Sequence, residues 1–322
     1  MPYRDHVPED IAGSLRRLRE ELGEAGLVLD LSDNIDALVL EEIDGALRPP
    51  THERRVPSRG TIIEPQTDPS SWAPGTELDI TRAPLRGQPL DAARRYTDGI
   101  SSWLLRRIDG EDEWVVFDRP AGSERDLVVV AEVFDATLVQ RHPAAGVRVV
   151  GSFGVLRWQL HRWHYEPPVA RWFDAKTACT GVGDRVALRS LLEFAVHDLG
   201  ALGIGALLVY GPDEQQQVRL EPRLPEPPPL DVHRATHLAP LRHALAQVDG
   251  AAIFDEKGVL RHLGVRLVPS ADAEATVEGL GGMRHTSARR YSRDDPQAVV
   301  VVVSEDGPVT IFRDGDVVAR SR

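Results

Sequence analysis

Residues 299–303 read Val-Val-Val-Val-Val and are followed at once by Ser304-Glu305-Asp306-Gly307. Side chains of a strand alternate between two faces, so a continuous valine run is apolar on both. Such a strand is stable only with both faces covered, which makes it a central strand of a sheet flanked by helices. The run is far shorter than the ~20 apolar residues that cross a bilayer. Asp306-Gly307 is a turn signal, and the polar pair Ser304-Glu305 at the end of a buried strand is placed for a pocket rim.

Two further polar signatures precede this one between apolar runs: Asp249-Gly250-Ala251 and Arg284-His285-Thr286. An acid at a strand start can bind a divalent ion or accept a proton. Gly250 lets the backbone approach a ligand closely, and the small Ala251 leaves room. If a helix opens at Met283, its free N–H groups and dipole favour phosphate, with Gly281-Gly282 permitting close approach. Arg284 can grip phosphate oxygens with two prongs; His285, Thr286 and Ser287 add donors. Each signature also has a bland reading. Asp-Gly can be a plain turn, Arg-His a solvated helix start, and Ser-Glu the start of a hairpin. Arg289, Arg290 and Arg293 are assigned to surface or subunit contacts.

The three signatures in this order resemble the diadenylate cyclase family. The resemblance runs from about Val186 to Val318. GIGALLVYG (Gly203–Gly211) resembles the family's first core strand, and VDGAAIFDEKGVLRHLGVRLVP (Val248–Pro269) its Asp-Gly-Ala strand, hairpin and adenine-lining segment. GGMRHTSARR (Gly281–Arg290) resembles its Gly-Thr-Arg-His-Arg motif, with Met283 and Thr286 in place of the Thr and the second Arg. VVVVVSEDGPVTIFRDG (Val299–Gly315) resembles its closing hairpin. Val248 stands where membrane-type members often carry His, as in the soluble, DNA-scanning branch. The sequence shows neither the membrane helices of the one branch nor the DNA-binding domain of the other.

The resemblance implies an α/β catalytic domain with a mixed central sheet, preceded by a separate α+β domain. It implies condensation of two ATP molecules into cyclic di-AMP and two pyrophosphates, with Mg²⁺ or Mn²⁺, across a face-to-face dimer. Asp249, Arg284 and His285 are the implied catalytic residues. Gly250, Ala251, Leu267, Gly282, Thr286, Ser287 and Ser304 are implied ATP contacts, and Asp249 and Glu305 hold the metal. A cyclase-like module that binds nucleotide without turnover, and a transferase that adenylates a partner, are the alternatives.

At 322 residues the chain has room for two domains, and its 42% hydrophobic and 27% charged content is that of a globular protein. A net charge of −12 argues against a nucleic-acid partner. One cysteine, Cys179, excludes an internal disulfide. No secretory signal or membrane span is legible, so a cytoplasmic location and no membrane partner are expected. No Gly-x-x-x-x-Gly-Lys-Ser/Thr motif is present either, which argues against a Walker-type ATPase.

The domains are expected at 1–180 and 181–322, the first a regulatory element by analogy alone. Apolar spacing predicts helices over 8–25, 35–47, 91–108, 184–199 and 232–247. Residues 49–90, rich in Pro, Thr, Ser and Gly, read as a loop or linker. Trp114–Phe117, Leu127–Phe134 and Val147–Leu160 read as strands. In Arg157–Tyr165 the alternation of Trp158, Trp163 and Tyr165 with His161 and His164 favours an aromatic strand face over a metal site.

Overall fold

The computed structural model describes residues 9–49, 56–142, 146–159, 161–173 and 184–321. The chain divides into two compact units, Met1–Pro168 and Val169–Arg322. The division falls before the expected position because Val169 and Trp172 are buried in the core of the second unit.

In the first unit, helices α1 (Glu9–Ala25) and α2 (Asn34–Leu47) form as their apolar spacing predicts. Asp33 starts α2 by accepting a hydrogen bond from the Ile35 N–H. Then follow β1 (Arg59–Ile63), α3 (Trp72–Thr76), β2 (Ile80–Pro84), α4 (Leu90–Ala93), β3 (Ser102–Arg106), β4 (Glu113–Phe117), α5 (Glu124–Phe134), β5 (Thr137–His142), β6 (Gly146–Gly151), β7 (Gly154–Gln159) and β8 (Arg162–Glu166). The strands make one sheet in the order β2-β4-β3-β1-β5-β6-β7-β8, in which β1 and β3 are parallel. One face carries α1 and α2 on Val139, Val149 and Leu156; the other carries Trp72 and the α5 side chains on Ile62, Leu105 and Val150.

Three expectations are corrected here. Residues 49–90 are not a linker: they contain β1, a fully buried strand in the middle of the sheet. Gly60 is what allows this, since a Cβ there would collide with Gly99 and the Trp103 ring. Leu127–Phe134 is helical because Ser123 and Asp126 form a reciprocal capping box that starts α5 and overrides the β preference of its valines. The stretch 91–108 is helical only at its start and continues into β3. Val147–Leu160 is a hairpin, β6 turning at Ser152-Phe153 into β7. Trp158 pairs with Trp163 across the next hairpin, ring centroids 5.2 Å apart, giving the aromatic face expected there.

This unit buries charge. The Glu42 carboxylate is fully inaccessible, accepting hydrogen bonds from the Thr61 hydroxyl (2.9 Å), Arg94 (2.6 Å) and Arg106, with Arg59 at 4.0 Å. Burial pushes its pKa up, but Arg94, Arg106 and Arg59 together outweigh that and hold it below the ordinary carboxylate range. Glu124 likewise holds Arg157 through two 2.6 Å hydrogen bonds.

The second unit comprises α6 (Ala170–Phe173), α7 (Arg185–Glu193), β9 (Ala206–Tyr210), β10 (Leu220–Glu221), α8 (Ala235–Gln247), β11 (Ala251–Phe254), β12 (Leu260–Leu267), α9 (Ala271–Thr276), α10 (Met283–Asp294), β13 (Val299–Val303), β14 (Val309–Arg313) and β15 (Asp316–Arg320). Between α7 and β9 the helix loosens into a π-helical stretch, Phe194–Leu199. The sheet order is β10-β12-β11-β9-β13-β14-β15, mixed, with β9 and β11 parallel. The valine run is β13, paired to β9 on one side and β14 on the other. Val299, Val301 and Val303 pack with α7 and α8, and Val300 and Val302 with Ala288 and Tyr291 of α10. Both faces are covered, as a fully apolar strand requires.

Candidate functional site

Three loops that are far apart in sequence meet at one end of this second sheet. Asp249 and Gly250 lead into β11. Gly250 has φ 111°, and a Cβ there would lie 2.7 Å from the Gly264 carbonyl carbon of β12. The glycine is thus needed for a close strand approach, and Asp249 is left fully exposed at the strand's start. Arg284 is the second residue of α10, whose cap, Gly282, contributes no side-chain hydrogen bond. Glu305 follows β13 by two residues.

Arg284 joins the other two. Its Nη1 donates to Glu305 Oε1 at 3.2 Å, and its Nη2 lies 3.7 Å from Asp249 Oδ1. The neighbouring Gly205, just before β9, makes room: a Cβ there would collide with the Arg284 guanidinium and the Glu305 side chain. All three groups are well exposed, so the pairs contribute little to stability and are easily exchanged for a ligand.

On one side of Asp249 and Arg284 lies a pocket of about 370 Å³, lined also by Gly250, Gly264–Leu267, Pro269, Glu274 and Arg223. Helix α10 contributes Met283, Thr286, Ser287 and Arg290, the i, i+3, i+4, i+7 face of the helix. On the other side a hollow of about 360 Å³ is lined by Gly203–Gly205, Leu245–Val248 and Glu305. The first pocket sets Arg223, Arg266, Arg284 and Arg290 against Asp249 and Glu274, an excess of cations. A larger hollow, about 930 Å³, lies at the opposite ends of β9 and β11, where open α/β sheets usually bind ligands. Its five carboxylates (Asp213, Glu214, Glu226, Asp255, Glu256) face a single arginine, Arg261, so it repels a phosphate chain.

Of the residues singled out in the sequence, Asp249, Gly250, Leu267, Arg284, Thr286 and Ser287 line the first pocket, and Glu305 the second. Thr286 Oγ1 accepts the Leu280 N–H at 3.2 Å and so shapes the loop before α10. Gly282 is the helix cap. Ala251, His285 and Ser304 are not among the lining residues. Ala251 is buried in the core on β11. His285 lies on the sheet side of α10, its ring edge-on to Phe312 at 6.1 Å between centroids. Burial, then the charge of Arg320, push its pKa below 6.5, with Asp306 opposing. The Ser304 backbone is engaged in its hairpin turn with Pro308 and Gly307.

Arg223, Arg266 and Arg290 were not singled out as pocket residues. The sequence assigns Arg290 to surface or subunit contacts with Arg289 and Arg293, yet only Arg289 and Arg293 are tied to the β14–β15 turn, through Gly315 O (2.8 Å) and Asp314 (2.7 Å). The seven-residue spacing from Met283 was the available signal for Arg290. Arg223 sits in the Pro-rich loop, where spacing carries none.

Among the described residues no group of three or more His, Cys, Asp and Glu side chains is placed to hold a metal ion, and no helix is long and apolar enough to cross a membrane. Cys179 lies outside the described residues.

Residues 193–317 match the DAC family model, described as the DisA bacterial checkpoint controller nucleotide-binding domain. Residues 16–166 match a second model, described as a probable sensor domain, DACNK. The two matches fall one in each unit, and the DAC match lies in the same part of the chain as the resemblance read from the sequence. Curated proteins gave no match. Among solved structures, a hypothetical membrane-spanning protein from Bacillus cereus is 22% identical over 40% of this chain and 60% of its own, with a TM-score of 0.32. DacA from Staphylococcus aureus, in a double-mutant form, is 20% identical over 42% of this chain and 87% of its own, with a TM-score of 0.30. The chain therefore spans less than two thirds of the length of the first of these.

Proposed function

We propose that the second unit binds ATP in the arginine-lined pocket and condenses two ATP molecules into cyclic di-AMP. The observation that carries this reading is the convergence of Asp249, Arg284 and Glu305 between two adjoining hollows at the start of α10. Each half-reaction joins a ribose 3′-oxygen of one ATP to the α-phosphorus of the other and breaks the bond to pyrophosphate. Two such steps give the cyclic product and two pyrophosphates. Positioning and charge neutralisation dominate chemistry of this kind.

Arg284 would leave its carboxylate partners for phosphate oxygens, where charged hydrogen bonds are stronger than in an exposed ion pair. Asp249 would accept the proton of the attacking hydroxyl. Two exposed carboxylates facing a phosphate site fit Mg²⁺ or Mn²⁺, which take few protein ligands and complete their shell with phosphate and water. Asp249 and Glu305 would hold that ion, which when bound supplies positive charge to the phosphates. One pocket holds one ATP, so two protomers must face each other with their sites together. The match of the first unit to a sensor-domain model supports a regulatory role for it, and the chain is assigned to the cytoplasm.

A second reading is favoured by Met283 and Thr286: the helix start presents an exposed thioether and a hydroxyl already bonded to Leu280, leaving Arg284 as the cation of the first turn. The domain would then bind nucleotide without turning it over. Purified protein with ATP and Mn²⁺, its products resolved by mass, separates the two. Cyclic di-AMP and pyrophosphate in a one-to-two ratio support the cyclase. Bound but unchanged ATP supports the binding module, and adenylate found on protein refutes both.

A further inference from the structure

We propose that Arg290 binds the triphosphate chain of ATP directly, a role that rests on the nucleotide reading above. Its position on the pocket face of α10 follows from helix geometry: Met283, Thr286, Ser287 and Arg290 lie along one stripe and line the same cavity. What distinguishes Arg290 is its bonding. Arg284 pairs with Asp249 and Glu305, Arg266 with Glu221, and Arg293 with Asp314. Arg289 donates to two backbone carbonyls, of Gly315 and Glu278. Arg290 has one hydrogen bond, from Nε to the Val277 carbonyl oxygen at 3.3 Å, and no ion pair among the described residues.

That single bond restrains the side chain through Nε and leaves both terminal nitrogens to donate. A half-buried guanidinium facing a cavity without a carboxylate partner is matched by an anion with several oxygens, which accepts from both prongs. The need is local. Thr286, one turn before it on the same stripe, is neutral with its oxygen engaged by the Leu280 N–H, so Arg290 supplies the cation that this stripe lacks. Arg223, exposed and with no ion pair among the described residues, lines the pocket too. A triphosphate is favoured over a nucleoside because every unpartnered donor named here is a cation.

The test compares dissociation constants of ATP and of adenosine for the wild-type protein and for Arg290→Ala, by calorimetry without turnover, in Ca²⁺. Arg290→Ala is expected to weaken ATP about tenfold or more, the effect of one charged contact, and to leave adenosine unchanged. Unaltered ATP affinity overturns the assignment. Equal weakening of both ligands also overturns it, since that is what loss of the Val277 tether alone would do. Adenosine binding reports that the variant is folded; if it is not, Arg290→Gln, which keeps a polar N–H and removes the charge, is measured instead. Wild-type protein that binds no ATP would overturn the nucleotide reading and this assignment with it. Wild-type protein that binds ATP no better than Arg290→Ala overturns this assignment alone.

Discussion

Arg284 Nη1 lies 3.2 Å from Glu305 Oε1, joining the start of a helix to the end of the central strand β13. The pair is exposed, so it holds the site in shape at little energetic gain. Arg284→Ala should leave the melting temperature within a few degrees and, on the proposed function, weaken ATP binding and slow turnover together, because the guanidinium would contact phosphate in both ground and transition states. Unchanged ATP affinity would remove Arg284 from the site.

Asp249 is fully exposed at the entry to β11, its carboxylate 3.7 Å from Arg284 Nη2. Asp249→Asn should therefore fold normally and lose about 10²-fold or more in cyclisation rate through lost proton or metal handling. Near-native turnover by the folded variant would refute its catalytic role.

Glu42 offers the opposite case. Removing this inaccessible carboxylate leaves Arg94, Arg106 and Arg59 facing one another in a poorly hydrated site. Glu42→Ala should destabilise the first unit by about 3–5 kcal/mol, measured by urea unfolding. A loss under about 1 kcal/mol would mean that water replaces the carboxylate.

His285 predicts a pH dependence. Its folded pKa is depressed, so below 6.5 the unfolded chain takes up a proton that the folded chain resists. The stability it contributes is full above that value and is lost as the pH falls through the folded pKa. Between pH 7.5 and 5.5 the wild-type protein should lose more stability than His285→Gln. Parallel losses would show that His285 is not the group responsible.

The division at Val169 bears on truncation. A fragment of residues 169–322 keeps Val169 and Trp172 in the core, whereas one of 181–322 loses both. The longer fragment should melt clearly higher, because a deleted buried Trp typically costs several kcal/mol. It should also make cyclic di-AMP. A folded, dimeric 169–322 fragment without activity would show that the first unit supplies part of the site.

What the sequence made legible was set by how local the cause is. The α1 and α2 helices and the valine strand follow from spacing within one element. The β1 strand was hidden because its five residues sit in a turn-rich stretch, and only contact with Gly99 and Trp103 explains Gly60. Helix α5 was hidden by its valines, although Ser123 and Asp126 stood at capping spacing. Asp249, Arg284 and Glu305 were legible as a set through motif order, while Arg223 entered the pocket from a loop whose path no local rule predicts.

The pairing of β9 with β13 carries a last consequence, for the order in which the site comes into being. Ala206–Tyr210 lies mid-sheet, yet one of its edges is completed only by Val299–Val303, almost a hundred positions later. On the ribosome, β9 must wait with that edge open until nearly the whole unit has emerged. Glu305 leaves the tunnel later still. A nascent chain therefore has no assembled cluster of Asp249, Arg284 and Glu305 before Glu305 has emerged, and a ligand of that cluster cannot draw its folding forward until then.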